Sequence, residues 1–134
     1  MYCFDTDILS AVIRRDPPLH LIRRLAATAP GEQYTTAITL GELLYGVAKR
    51  GSPELAERVH NLIASAGTIL PFDDAAAERY GALRATLESG GRRLAEPDLR
   101  IASIALARGL TLVTANTRHF ARVPGLQVEN WLAA

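Results

Sequence analysis

Short apolar runs alternate with helically spaced segments along this whole chain, and that alternation is what most restricts its fold. The apolar runs fall at 2–5, 34–36, 68–70, 110–113 and 126–128. Between them, residues 6–15 carry Ile8, Leu9, Val12 and Ile13 on one side of a helix, and 19–28 carry Leu19, Ile22, Leu25 and Ala26. Thr39 to Lys49 repeats the pattern with Leu40, Leu43, Leu44 and Val47, and 53–65 with Leu55, Val59, Leu62 and Ile63. A long helix is expected from a cap at Asp73 or Asp74 to about Glu88, another from Pro97 to Arg108, and a short one between Thr114 and Phe120. Pro17-Pro18, Pro30-Gly31, Gly51-Ser52-Pro53, Gly90-Gly91, Gly109 and Pro124-Gly125 punctuate these segments, with Ser52 placed as a cap and Pro53 at the first helical position. Parallel strands need crossovers of about a dozen residues, usually helical, and each interval here can supply one. The expected architecture is therefore α/β: one domain over residues 1–134, its mostly parallel central sheet flanked by helices on both faces.

Composition adds limits rather than a function. The 134 residues are 49% hydrophobic and 22% charged, enough for a core that needs no covalent staples. A formal charge of +1 means that any basic surface must be local and balanced by acids elsewhere. Lys49 is the only lysine among 15 basic residues. Genome composition explains that bias, and so does phosphate binding, where the guanidinium fork is the better ligand. Cys3 is the sole cysteine, so no internal disulfide forms, and it reads as a buried strand residue. With no signal-peptide pattern and no membrane-length apolar run, the expectation is a soluble, cytoplasmic protein without a membrane partner.

Four side chains recur at element junctions or on helices. Asp5 closes the first apolar run, Glu42 borders the apolar stripe of the 39–49 helix, Asp98 lies in the first turn after Pro97, and Asn116 follows the strand at 110–113. Each has a bland alternative. Asp5 and Asn116 suit helix caps, Asp98 complements a helix dipole, and Glu42 suits a solvated face. Together they suit one crevice at the carboxyl ends of parallel strands, where ligands collect in open sheets. Carboxylates gathered there repel unless protons or cations intervene, and Mg²⁺ or Mn²⁺ are the oxygen-seeking cations for such a set.

The words around these residues are more specific than their spacing. Phe4-Asp5-Thr6-Asp7-Ile8-Leu9, Ile38-Thr39-Leu40-Gly41-Glu42-Leu43-Leu44-Tyr45-Gly46, Pro97-Asp98-Leu99-Arg100-Ile101-Ala102 and Val113-Thr114-Ala115-Asn116-Thr117-Arg118-His119-Phe120 resemble the PIN-domain ribonucleases. The likeness is to the VapC-type toxins of bacterial toxin–antitoxin pairs, and the ending Val123 to Trp131 shares it. The resemblance spans essentially the whole chain. It implies a PIN-like domain and an endoribonuclease that hydrolyses RNA phosphodiester bonds with a metal-activated water. It also implies a homodimer and a cognate antitoxin that blocks the site, with the helices at 39–49 and 53–65 as a docking surface.

By resemblance Asp5, Glu42 and Asp98 take the metal-binding carboxylate positions, and Asn116 takes the fourth acidic position. Two departures stand out. Asp7 occupies a position that is often asparagine, and Asn116 one that is often aspartate, so Asp7 is expected either to restore the missing charge as a further metal ligand or to cap the helix. Glu96 is a possible outer ligand, set against a role in solvent or as a cap. Thr114 is a candidate to orient the water or contact phosphate, set against a satisfied buried hydroxyl. Arg100, Arg118 and Arg122 are candidate phosphate contacts, set against solvated charges, and His119 reads as a rim residue.

Three rivals differ in class. A haloacid-dehalogenase-like phosphatase opens on a strand and Asp-x-Asp but needs a hydroxyl where Leu9 stands. A receiver-like domain needs an acid near position 70, where Pro71 stands. A PIN-fold binding module with weak or no catalysis is the remaining alternative, and Asn116 is its motive.

Overall fold

The computed structural model describes residues 1–65 and 67–132. Five strands, β1 (Tyr2–Phe4), β2 (Gln33–Thr36), β3 (Thr68–Leu70), β4 (Thr111–Val113) and β5 (Val128–Glu129), form one sheet in the order β3-β2-β1-β4-β5. Every pairing is parallel, with Cys3 beside Tyr34 on one side and beside Leu112 on the other. The helices are α1 (Thr6–Val12), α2 (Leu19–Ala26), α3 (Ala37–Arg50), α4 (Pro53–Ser65), α5 (Asp74–Ser89), α6 (Glu96–Arg108) and α7 (Thr117–Phe120).

The period of two along β1 and β4 divides the core. Cys3 and Leu112 face a layer built with Leu83 and Leu87 of α5 and Leu99, Ile101 and Ile104 of α6. Phe4 and Val113 face a second layer with Ile8, Leu21, Leu43, Val59 and Trp131. Trp131 packs edge-on to Tyr2 and Phe4, with centroids 4.8 and 5.2 Å away. Both faces of the sheet are thus covered, as all-parallel sheets require. Cys3 is fully buried, and burial pushes its thiol up to about 12, so it is a packing residue and no nucleophile. Among the described residues, no helix is long and apolar enough to cross a membrane.

Helix starts follow side-chain caps. Thr36 accepts from the Thr39 amide at 3.1 Å, which starts α3 at Ala37, two residues before the expected Thr39. Asp73, rather than Asp74, caps α5 by accepting from the Ala76 amide, and Ser52 caps α4 as expected. The last strand sits slightly later than the expected 126–128, at Val128–Glu129, because its register is set by pairing with Leu112 and Val113. Gly67 lets β3 approach β2: a Cβ there would stand 2.4 Å from the Gln33 carbonyl oxygen.

The chain order places the site. From the central β1 it runs outward through β2 and β3, then returns to lay β4 and β5 on the other side. The crevice beyond the carboxyl ends of β1 and β4 is the point where the winding reverses, and Asp5 and Thr114 are the first residues past those strands.

Candidate active site

Asp5 is buried at the end of β1, and its backbone amide donates to the Val113 carbonyl across the switch point. Its carboxylate is used twice. Oδ1 accepts from the Thr6 amide at 2.7 Å, so Asp5 does cap α1, and Oδ2 accepts from the Thr114 hydroxyl at 2.8 Å. Thr114 is fully buried and in turn accepts from the Asn116 amide at 3.1 Å. Asp7, in the first turn of α1, accepts from the Ala115 amide through Oδ2 at 3.1 Å, while its Oδ1 is buried without a hydrogen-bond partner.

Two helices bring the other acids. Glu42 of α3 accepts from the Thr6 hydroxyl at 2.6 Å, and Thr6 also meets the Thr39 hydroxyl at 3.2 Å. Asp98, in the first turn of α6, stands 3.1 Å from His119 Nε2 of α7. Asp5, Asp7, Glu42, Asp98 and Asn116 line one open cleft of about 420 Å³ together with Thr6, Ser10, Arg14 and Phe120.

The acids compete there for neutrality. Burial, and then the charge of Asp7, push the Asp5 carboxyl up to about 6, against the hydrogen bonds from Thr114 and the Thr6 amide. Burial also raises Asp7, against the Ala115 amide. Asp98 is raised first by burial, with His119 pulling down and Glu42 pushing up. Clustered acids with raised pKa values in a cleft mark a functional site.

Among the described residues, no three His, Cys, Asp or Glu side chains stand close enough to enclose a metal ion by themselves. The donor set nevertheless suits a hydrated hard cation, which commonly takes only one or two carboxylates and keeps several waters. The partnerless, buried Oδ1 of Asp7 is the atom that most calls for one.

Several expectations resolve differently. Asn116 occupies the cap position of α7, yet its side chain makes no cap hydrogen bond and lines the cleft instead. Glu96 neither caps nor lines this cleft. Ala95 holds the cap position, and Glu96 accepts from Tyr80 and, at 3.2 Å, from Arg100. Arg100 is thereby paired, Arg122 donates to the Arg93 carbonyl, and neither lines the cleft. Thr114 is both a satisfied hydroxyl and part of the site. The residues that sequence reasoning missed are Thr6, Ser10 and Arg14, and their spacing of four was the available signal for one helical face.

The PIN domain family model matches residues 2–126. The chain belongs to the PIN-domain family. Within it the chain falls with the VapC type. Ribonuclease VapC2 of Haemophilus influenzae is 37% identical over 131 residues, covering 98% of both chains. The tRNA(fMet)-specific endonuclease VapC of Shigella flexneri is 37% identical over 130 residues, covering 97% of both. Among solved structures, VapBC2 of Rickettsia felis bound to a DNA fragment from its promoter superposes with a TM-score of 0.86 at 34% identity, over 97% of this chain and 98% of that one. Of these relatives, one is a ribonuclease by name and another a tRNA-specific endonuclease.

Proposed function

We propose that the chain is the endoribonuclease toxin of a VapBC-type toxin–antitoxin pair, hydrolysing RNA phosphodiester bonds with the help of Mg²⁺ or Mn²⁺. The observation that carries this reading is the convergence of Asp5, Asp7, Glu42, Asp98 and Asn116 on one cleft, with a buried carboxylate oxygen left unpartnered. The names of the relatives support the RNA substrate. Their solved complexes support a cognate antitoxin as partner. A homodimer completes the proposal, as the family resemblance implies.

Asp5, Asp98 and Glu42 would hold the cation, with Asp7 as the added carboxylate and Asn116 as a neutral oxygen donor. When bound, it supplies a water acidified toward neutral pH and neutralises charge on the phosphate. Thr114 and the Thr6 amide keep the Asp5 oxygens in fixed directions, and Thr6 does the same for Glu42. His119 holds Asp98 from the rim. A water attacks phosphorus in line, and the bond to the 3′-oxygen breaks, so the fragments carry a 5′-phosphate and a 3′-hydroxyl.

End-mapping of total RNA after incubation with the protein and Mg²⁺ or Mn²⁺ tests this. Fragments with a 5′-phosphate and 3′-hydroxyl that vanish with Asp98→Asn are expected. A 2′,3′-cyclic phosphate would mean attack by the ribose hydroxyl, and the acid cleft would lose its assigned role.

A further inference from the structure

Beside the acidic cleft lies a second cavity of opposite character. It measures about 340 Å³, within the range that accepts a small ligand. It lies between α1, α3 and α4 and shares Thr6, Ser10, Arg14 and Glu42 with the cleft. Arg50, from the last turn of α3, and Arg58, from α4, complete its polar lining. Five other arginines, Arg15, Arg24, Arg84, Arg100 and Arg108, are paired with carboxylates. Among the described residues Arg14, Arg50 and Arg58 make no ion pair, and Arg58 Nε is buried without a hydrogen-bond partner. A buried guanidinium N–H with no acceptor is costly, so an acceptor from outside is the natural complement.

We propose that this cavity is a nucleotide subsite for the RNA strand. Arg14, Arg50 and Arg58 take a backbone phosphate next to the scissile one, and the base lies on the apolar wall formed by Ile13 and Leu55. The inference rests on the ribonuclease reading and names where the strand runs on leaving the acids. Three observations favour a polynucleotide. Guanidinium forks match phosphate oxygens in pairs. The cavity combines charge with apolar surface, as a nucleotide needs and a free inorganic anion does not. It also opens directly into the cleft that would hold the cleaved phosphodiester. An acidic peptide would meet Glu42 at the shared edge just as a phosphate would, and it brings no flat ring to the apolar wall of Ile13 and Leu55.

Fluorescence anisotropy with a labelled single-stranded RNA dodecamer, in EDTA so that the strand stays intact, is the test. Arg50→Gln, on an exposed helix end, and Arg58→Gln should each bind roughly five- to tenfold more weakly. Each should also lower the slope of log affinity against log salt by about 0.7, the value for one lost phosphate contact on a single strand. Arg79→Gln, on the exposed side of α5, is the control and should bind as wild type. In cleavage assays Arg50→Gln should raise KM with kcat kept. Unchanged affinity and salt slope in both variants would overturn the subsite. So would hexaglutamate that binds wild type but not Arg58→Gln while RNA binding stays intact, since the cavity would then be a peptide site. A wild-type chain that cleaves no RNA but binds it through Arg50 and Arg58 would remove the ribonuclease reading while keeping the subsite. One that binds no RNA at all would remove both.

Discussion

Asp5 and Asp7 form a strand-end pair, Asp5 being the first residue past β1 and Asp7 lying in the first turn of α1, whereas Glu42 and Asp98 enter from the separate helices α3 and α6. The strand-end pair is tied by backbone amides of Thr6 and Ala115 and by a fully buried hydroxyl, Thr114. The helix pair has one side-chain prop each, Thr6 for Glu42 and His119 for Asp98, and the Asp98 side chain remains 27% exposed. Backbone donors cannot turn away, so the strand pair is a fixed frame. The helix pair can adjust as substrate and cation enter. Fixed position costs the frame most in electrostatics, because Asp5 carries the larger burial and is pushed up to about 6.

The comparison predicts graded losses. Asp5→Asn should lower single-turnover cleavage by about 10²–10³-fold, the scale of removing one electrostatic stabiliser at a reacting centre. A loss no greater than that of a rim substitution would break the frame argument. Thr114→Val should cost roughly 10–100-fold in activity or metal affinity, as partners of ligating groups do. It should also lower stability by about 1–3 kcal/mol, because the Asp5 carboxylate and the Asn116 amide lose their partner. Thr6→Val, on the adjustable side, should cost less on both counts, and equal losses in the two variants would erase the distinction.

Asp7→Asn sharpens the frame itself. It should weaken Mn²⁺ binding about tenfold, on the scale of altering one group around a metal site, and Asn116→Asp in that background should restore part of the loss. If affinity and cleavage are unchanged in Asp7→Asn, the charge missing at Asn116 is not made up by Asp7.

The smallest effect is on stability against pH. The Asp5 carboxyl is raised from 3.8 to about 6, so over that interval the folded chain holds more protons than the unfolded one. Cation-free protein should therefore lose stability as pH rises through this window, by a few degrees in Tm, and Asp5→Asn should flatten the trend. A wild-type curve parallel to that of Asp5→Asn would contradict the burial assigned to Asp5.

Much of the fold was legible because its signals are local. Apolar runs of strand length, and Ser52-Pro53 as cap and first turn, mark elements without knowledge of neighbours. The start of α3 was displaced because a second local cap was available, Thr36 three residues before Thr39, whereas β5 moved because a tertiary partner, β4, sets its register. In the site, Asp5, Glu42, Asp98 and Asn116 were readable from the words around them. The two uses of Asp5, as cap and as site acid, were posed as alternatives but are compatible, since a carboxylate has two oxygens and each finds its own donor. The arginines show the converse. Arg100 sits in a family word yet pairs with Glu96 four residues away, whereas Arg58 lies on a helix noted for its apolar residues and reaches a cavity only through the packing of α3 on α4.

The central claim is that these acids act as one cation-dependent centre on RNA. Its most direct measurement is cleavage of a defined RNA by the wild-type chain and by folded Asp5→Asn and Asp98→Asn, each with EDTA and with added Mg²⁺ or Mn²⁺. The account predicts cleavage only by wild type and only with the divalent cation. Cleavage that persists in EDTA, or in both variants, would contradict it.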